Sequence, residues 1–175
     1  MTDHIVRGEY TALRFVASTD LDFLTTWFSD PEVYQWWDGY PKPREEVAQK
    51  YTGRRRPQVE SFIIEADGQP IGYIQYGMGG ALFGSVDMFL IPSRRDRGLG
   101  PDAARALVRY LLKEHGWRRV TVDPHADNPR AIRAWEKAGF TPERELPDHP
   151  GGPALLMTIE ADEYSRRPAA HPAPQ

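Results

Sequence analysis

Two glycines beside two arginines are the first residues whose spacing suggests chemistry. Gly98 and Gly100 follow Arg95 and Arg97, and they precede a stretch with helical periodicity. A helix N-terminus offers unpaired backbone N–H groups and the positive end of a dipole, both of which favour anions. Glycine also lets a ligand approach the main chain closely. The pattern predicts a pyrophosphate site; the alternative is an ordinary strand-to-helix turn.

Asp87 is the second candidate, because it is the one charged residue in the apolar run from Val86 to Ile91. An unpaired carboxylate in such a run is costly, so a function or a bonding partner must account for it. Burial raises the pKa of a carboxyl group, which suits it to act as a general base. The alternative is a residue at a sheet edge that accepts a bond from a neighbouring backbone N–H.

A second motif spans residues 128–140 and has the features of a complete short helix. Asn128 can cap its start, Pro129 suits its first turn, and Gly139 can end it. This motif begins about thirty residues after Gly98, and the two together are more specific than either alone.

The elements that must position these motifs alternate between strands and helices. Asp67-Gly68 is typical of a two-residue hairpin turn, and Asp30-Pro31 is expected to end the first helix. Hydrophobic periodicity predicts strands at 11–16, 59–66, 69–76, 82–91, 118–122, 140–145 and 154–159, and helices at 21–28, 43–54, 101–114 and 129–138.

Composition fits one enzyme domain over residues 1–164, followed by a Pro-rich tail at 165–175 that we expect to be disordered. The chain has 175 residues and a formal net charge of −3, which argues against a general nucleic-acid binder. Its one dense basic run, Arg54 to Arg56, is either a solvated helix end or a contact for phosphates or an acidic partner.

Several classes of site are excluded or not indicated. The chain has no cysteine, so disulfides, thiolate metal sites and an acyl-cysteine intermediate are impossible. Its five histidines lack metal-ligand spacing, so no metal is expected. No apolar signal core or membrane-length apolar run is present, and we expect a cytoplasmic protein without membrane partners.

The order Arg-x-x-Gly-x-Gly, then Asn-x-x-Ala-x-x-x-aromatic-x-x-x-Gly-Phe, resembles the Gcn5-related N-acetyltransferase (GNAT) family. The resemblance covers Arg14 to Ile159. It implies an α/β fold with a mixed, mostly antiparallel sheet of about seven strands and about four flanking helices. It also implies acetyl-CoA as cofactor, with backbone groups near the end of the apolar strand holding the pantetheine arm and thioester. The residues implied to bind it are Phe89, Leu90, Ile91, Arg95, Asp96, Arg97, Gly98, Leu99, Gly100, Asn128, Trp135 and Lys137.

Within that family the chain is similar to aminoglycoside N-acetyltransferases of the 6′ type. The likeness rests on Trp36-Trp37, Gly72 to Gln75, Asp123-Pro124 and the stretch after Asp148. It implies a cationic amino-sugar acceptor, direct attack of its amine on the thioester, and Asp87 as base or amine anchor. Carboxylates attract such an acceptor and aromatic rings add cation–π contacts. The implied pocket residues are Trp36, Trp37, Asp38, Tyr51, Gln75, Asp87, Asp123 and Asp148.

Besides Asp87, four of those pocket assignments have structural alternatives. Trp36 and Trp37 could pack in the core or a loop, and adjacent residues would point in different directions. Asp38 could be a helix cap or turn residue, and Asp123 could cap the turn before Asn128.

Two positions depart from the family pattern. Trp135 stands where a tyrosine usually serves as proton donor to the departing thiolate, and an indole N–H is no practical acid. Pro101 removes one N–H from the phosphate loop. The alternatives are therefore a thiolate leaving group, protonation by water, or a non-catalytic acyl-CoA-binding module. Other acceptors also stay open: a kasugamycin-like aminocyclitol, a siderophore amine or a protein N-terminus. The chain is expected to be a monomer or homodimer.

Overall fold

One eight-stranded sheet organises the computed structural model, which describes residue 3 and residues 5–167. The strands lie in the order β1-β2-β3-β4-β5-β6-β8-β7. All neighbours are antiparallel except β5 and β6. The strands are β1 (Val6–Arg7), β2 (Ala12–Phe15), β3 (Val59–Ala66), β4 (Gln69–Met78), β5 (Phe83–Leu90), β6 (Arg119–Val122), β7 (Thr141–Leu146) and β8 (Ala154–Glu160).

The helices lie on both faces of this sheet, so the predicted α/β class and mixed, mostly antiparallel sheet are confirmed. Short 3₁₀ turns precede α1, at Ser18–Asp20, and follow β5, at Pro92–Arg94. The α-helices are α1 (Leu21–Phe28), α2 (Pro31–Tyr34), α3 (Arg44–Lys50), α4 (Leu99–Lys113), α5 (Pro129–Ala138) and α6 (Ala161–Arg166).

Several elements that short sequence motifs predicted are confirmed. Asp67 and Gly68 have φ angles of 51° and 72°, the left-handed pair that a tight hairpin needs. Asn128 caps α5 through a bond from Ala131 N to its side chain, and Gly139, with φ of 105°, ends that helix. Helix α5 therefore carries the second predicted motif, residues 128–140.

The predicted element count was too low, since the described residues form eight strands and six α-helices rather than about seven and four. The two-residue β1 and the single-turn α2 are too short to show a period. Asp30-Pro31 does not simply end α1, because Asp30 caps α2 and Pro31 begins it. The last helix, α6, includes Ser165 and Arg166, which the sequence had assigned to the tail; residues 168–175 of that tail lie outside the described residues.

Two helix boundaries also differ from the prediction. α3 ends at Lys50, before Arg54, and Gly53 follows with φ of 84°, which a continuing helix cannot accommodate. α4 begins at Leu99, not at Pro101, because left-handed Gly98 forms its N-cap. Pro101 therefore lies within the first turn, where its missing N–H has no intrahelical partner to lose.

Each face of the sheet has its own apolar core. α4 and α5 pack on one face, around residues such as Leu107, Val120 and Trp135. On the other face an aromatic cluster from α1, α3, β4 and β5 includes Phe28, Tyr51, Tyr73 and Phe89. At Gly72 a Cβ would lie 2.4 Å from the Phe89 carbonyl oxygen, so β4 and β5 can approach this closely only with glycine there.

The parallel pair β5–β6 opens partway along its length. Among the described residues, pairing joins Phe83–Ser85 to Arg119–Thr121 and goes no further. Val86 to Leu90 consequently have no strand partner on that side, which leaves backbone groups of β5 available for a ligand. In the described part of the chain, no helix combines the length and apolar character needed to cross a membrane.

Candidate functional site

Two adjoining cavities lie where β5 and β6 separate. The first, about 220 Å³ and here called the helix cavity, lies between the end of β5, the start of α4 and α5. The second, about 550 Å³ and here called the carboxylate cavity, is lined by Asp38, Asp87 and Asp123. The residues that line both cavities are Trp36, Trp37, Met88, Asn128, Ala131 and Trp135. A ligand in one cavity can therefore meet a ligand in the other.

Arg95 shapes the helix cavity mainly through hydrogen bonds to the backbone. Its Nε donates to the Leu90 carbonyl at 3.1 Å, and its Nη2 donates to the Glu32 carbonyl at 2.9 Å. Burial, with repulsion from Arg130, lowers its pKa from the ordinary value. These bonds tie the glycine-containing loop to the end of β5 and to α2.

Helix α5 supplies further positive charge to the helix cavity. Arg130, Arg133 and Lys137 line it, at a spacing that places them on one helical face. Arg130 Nε is 3.6 Å from a carboxylate oxygen of Asp96. Together with Arg95 and the N-terminus of α4, these cations make the cavity suitable for a phosphate-bearing ligand.

Nine of the twelve residues predicted to bind acetyl-CoA line the helix cavity. Ile91, Arg97 and Leu99 are not among the described residues that line it. The sequence interpretation did not include Arg130 or Arg133, although their spacing from Lys137 was a readable signal. The nine lining residues are Phe89, Leu90, Arg95, Asp96, Gly98, Gly100, Asn128, Trp135 and Lys137.

Asp87 lies in the carboxylate cavity with Gln75 directly opposite it on β4. Gln75 Nε2 donates to Asp87 Oδ2 at 3.0 Å, so its partner is a side-chain amide. Gln75 Oε1 in turn accepts bonds from Tyr73 Oη at 2.8 Å and from Arg55 Nη2 at 3.1 Å. Because two donors hold the amide oxygen, its nitrogen must point at Asp87.

The surroundings of Asp87 suit it to proton transfer near neutral pH. Burial raises the pKa of Asp87 to about 6, while the bond from Gln75 lowers it. The negative charges of Asp123 and Asp38 raise the pKa further, and Arg55 lowers it. A carboxyl group in this range is mostly ionised at pH 7 yet takes a proton more readily than a solvated aspartate.

Trp37 and Tyr51 form an aromatic wall of the same cavity. Trp37 Nε1 donates to the Tyr51 hydroxyl at 3.0 Å. The Trp37 ring packs edge to face against the Phe89 ring, with the ring centroids 5.5 Å apart. Burial raises the pKa of Tyr51 to about 12, so its phenol is neutral. Trp37 therefore both packs against the core and lines the cavity, whereas Trp36 is 37% exposed, next to His125.

The turn that carries Asp38 is held by a buried lysine. Lys42 Nζ donates to the carbonyls of Trp37 and Tyr40 at 3.0 and 3.2 Å, and lies 3.4 Å from the Asp38 carboxylate. Asp38 has a φ angle of 63°, which fits the turn alternative, and it also lines the cavity.

Asp123 and Asp148 have different surroundings. Asp123 lines the cavity and its Oδ2 is bonded to His149 Nε2 at 2.7 Å. Asp148 is exposed, and it is not among the described residues that line either cavity. Its neighbour His149 lines the cavity instead, as do Arg55 and His125, which the sequence interpretation missed. No periodic signal in the sequence links His149 to Asp123, since 26 positions separate them.

Trp135 lies at the junction of the two cavities. It is buried, meets Phe140 edge to face at 5.3 Å, and lines both cavities. Its indole can pack against a ligand and donate a hydrogen bond, but its N–H is too weak an acid to protonate a leaving group.

Comparison with known proteins agrees with this geometry. Residues 11–141 match the model for the "Acetyltransferase (GNAT) domain" family. The chain is 32% identical to aminoglycoside N(6′)-acetyltransferase type 1 of Serratia marcescens in an alignment that covers 91% of this chain and 89% of that one. It is 30% identical to the Klebsiella pneumoniae enzyme of the same name, over 91% of this chain and 87% of that one.

Solved structures give the same result. The chain superposes on AAC(6′)-Ib in complex with ribostamycin and coenzyme A with a TM-score of 0.83 and 28% identity, covering 93% of this chain and 100% of that one. For the complex with coenzyme A and kanamycin, the TM-score is 0.79 and the identity 29%, over 90% of this chain and 99% of that one.

Proposed function

Because this chain belongs to the GNAT acetyltransferase family and is therefore an acyltransferase, we propose that it transfers acetyl from acetyl-CoA to an amino group of an aminoglycoside-type antibiotic. The observation that carries the proposal is the carboxylate cavity, in which Asp87 and Asp123 lie beside an aromatic wall and next to a cation-rich cavity. Relatives of about 30% identity are named for this activity.

The helix cavity fits acetyl-CoA. Unpaired N–H groups at the start of α4 suit its diphosphate, and Arg130, Arg133 and Lys137 add positive charge for its phosphates. The unpaired edge of β5 after Ser85 offers backbone groups to the extended pantetheine arm. Acetyl-CoA supplies an acetyl group activated as a thioester.

Asp87 is the group we assign to proton removal from the acceptor. An acceptor that binds as an ammonium ion must lose one proton before its nitrogen can attack and a second when the amide forms. The Asp87 carboxylate takes one of these protons, directly or through a water molecule, and the other passes to the solvent. Gln75 holds the carboxylate in place. Asp87 also attracts the acceptor as an ammonium ion, and this charge favours the ionised carboxylate.

No acid is needed at Trp135 in this scheme. Cleavage of the carbon–sulfur bond leaves the electron pair on sulfur, and an alkyl thiol is acidic enough (a pKa of about 8.5 for the cysteine side chain) to depart as a thiolate without a donor. We assign Trp135 to packing at the junction of the cavities, in line with its buried position.

The acceptor is an amino sugar with more than one ammonium group. Asp87 lies in β5 and Asp123 directly after β6, and both line one cavity, so one can contact the reacting amine while the other binds a second ammonium group. Trp37 and Tyr51 offer ring faces to the sugar.

Two cations that line the carboxylate cavity favour a second acceptor class. Lys50 and Arg55 line the carboxylate cavity together with its three carboxylates, so the cavity is less negative than its aspartates alone suggest. A kasugamycin-like aminocyclitol, which carries fewer ammonium groups, is the acceptor of that class.

The test is release of coenzyme A thiol from acetyl-CoA with kanamycin, ribostamycin, kasugamycin, spermidine, lysine and short peptides, each with Asp87→Ala alongside. Rapid release with kanamycin or ribostamycin, lost in Asp87→Ala, is the expected result. Release with kasugamycin alone would select the second class. Release confined to spermidine, lysine or peptides would overturn the amino-sugar assignment.

A further inference from the structure

The segment between β7 and β8 brings a side chain to Asp123 that the sequence did not indicate. This segment, residues 147–153, is here called the closing loop. It contributes His149, Pro150 and Gly151 to the lining of the carboxylate cavity. Backbone bonds from Ala126 N to the Pro153 carbonyl and from Leu155 N to the Pro124 carbonyl, both 2.9 Å, pin its C-terminal end beside β6. The closing loop is thus part of the acceptor side of the site.

The bond between His149 and Asp123 has a defined direction. His149 Nδ1 is buried and has no hydrogen-bond partner among the described residues. A proton on Nδ1 would therefore be unsatisfied, which favours the tautomer in which Nε2 carries the proton and donates it to Asp123 Oδ2. Asp123 Oδ2 is therefore the acceptor of this bond.

The second oxygen of Asp123 is free to bind a ligand. Within the described part of the chain, no donor is hydrogen-bonded to Oδ1, and the side chain is 39% exposed. The alternative role for Asp123, capping the turn before Asn128, gains no support, because the bond that the structure gives it is to His149. One oxygen is fixed by the imidazole, the other has no hydrogen bond from the described residues, and Asp123 lines the cavity.

We propose that His149 is a positioning residue of the acceptor site: it holds the Asp123 carboxylate so that Oδ1 receives an ammonium group of the acceptor. The inference rests on the proposed function, since it assumes an ammonium-bearing acceptor in the carboxylate cavity. A third group that orients a charged side chain is a common way to fix the geometry of a site. His149 itself does not touch the reacting atoms.

The first experiment compares His149→Ala and His149→Gln with the wild type in steady-state kinetics with kanamycin. His149→Ala is expected to raise the KM for kanamycin about 5- to 10-fold, the size of one ordinary hydrogen bond, because a carboxylate that is no longer held binds the ammonium group less well. The kcat and the KM for acetyl-CoA are expected to change less than about twofold. Glutamine can donate to the carboxylate, so the KM of His149→Gln for kanamycin is expected to lie close to the wild-type value. Equal kcat losses in both variants, with no KM change, would overturn the proposal.

The second experiment asks whether the effect passes through Asp123. In the Asp123→Asn background, adding His149→Ala is expected to raise the KM for kanamycin no further, because the positioned charge is already gone. Effects that simply multiply would contradict the proposal. Thermal melting of each variant checks that the closing loop remains folded.

Calorimetric titration of kanamycin into the wild type and His149→Ala, with coenzyme A present, separates failure of this proposal from failure of the proposed function. If the wild type neither binds nor acetylates kanamycin, both proposals fail. If it does both and His149→Ala binds equally well, the role of His149 alone is refuted.

Discussion

Gln75 and Asp87 lie directly opposite each other on β4 and β5, and the amide of Gln75 donates to the carboxylate of Asp87 at 3.0 Å. The amide has no freedom to turn around, because Tyr73 and Arg55 both donate to its oxygen. The proposed base is therefore oriented by a chain of hydrogen bonds that starts in the buried sheet at Ser61, whose hydroxyl bonds to that of Tyr73 at 2.6 Å.

Replacing Asp87 with asparagine tests whether Asp87 acts as a general base or as an ammonium anchor. The kcat is expected to fall about 10²- to 10⁴-fold with the KM for the acceptor changing less, as for the loss of a general base. A large rise in KM with kcat preserved would instead identify Asp87 as an ammonium anchor.

The same variant is expected to be more stable than the wild type at pH 8. The folded-state pKa of Asp87 is about 6 and its ordinary value is 3.8, so the ionised form is disfavoured by folding. Ionisation of Asp87 therefore lowers the free energy of unfolding of the wild type. The loss is absent below about pH 4, grows as the pH rises toward 6, and is about 1–3 kcal/mol at higher pH. Urea denaturation at pH 4 and 8 measures it; a variant that is destabilised at pH 8 would contradict the argument.

The pH dependence of the wild type follows from the same group. A base must be ionised to take a proton, so kcat/KM is expected to fall about tenfold per pH unit below pH 6. A bound ammonium favours the carboxylate, so the corresponding fall in kcat is expected at lower pH. Initial rates between pH 5 and 8 check this, and an unchanged inflection in Asp87→Asn would assign it to another group.

Tyr73→Phe tests whether the orientation of Gln75 matters. Removing the hydroxyl leaves the amide oxygen held by Arg55 alone of its two donors and leaves Ser61 without its partner, so kcat is expected to fall about 3- to 10-fold and stability by about 1–2 kcal/mol. Tyr76→Phe is the matched control, because Tyr76 packs against Trp117 and lies in the other core. Equal effects of the two substitutions on kcat would contradict the orienting role.

The local sequence was enough to predict most elements, and it pointed to Asp87 as a candidate site residue. Asp67-Gly68 and Asn128 with Gly139 act through their own backbone angles and caps, so their effects are readable without tertiary structure. Asp87 was recognisable as a carboxylate in an apolar strand. His149 and Arg55 were not, since their roles depend on loops that long-range packing brings to β6 and β4.

The cofactor site offers a direct comparison between sequence and structure. Arg97 belongs to the predicted motif but does not line the helix cavity, whereas Arg130 does. Arg130→Gln is expected to raise the Kd for coenzyme A about 3- to 10-fold and to weaken its salt dependence, while Arg97→Gln changes the Kd less than about twofold. Calorimetric titration at two salt concentrations measures the Kd of each variant and its salt dependence. A larger rise in Kd for Arg97→Gln than for Arg130→Gln would contradict the assignment made from the cavity lining.

The most direct test of the proposed activity is the structure of the product formed from kanamycin and acetyl-CoA. Mass spectrometry and NMR are expected to show one acetyl group in amide linkage to a single amino group, formed by the wild type and not by Asp87→Asn. Recovery of unmodified kanamycin, from a protein shown by calorimetry to bind acetyl-CoA, would contradict acetylation of this antibiotic.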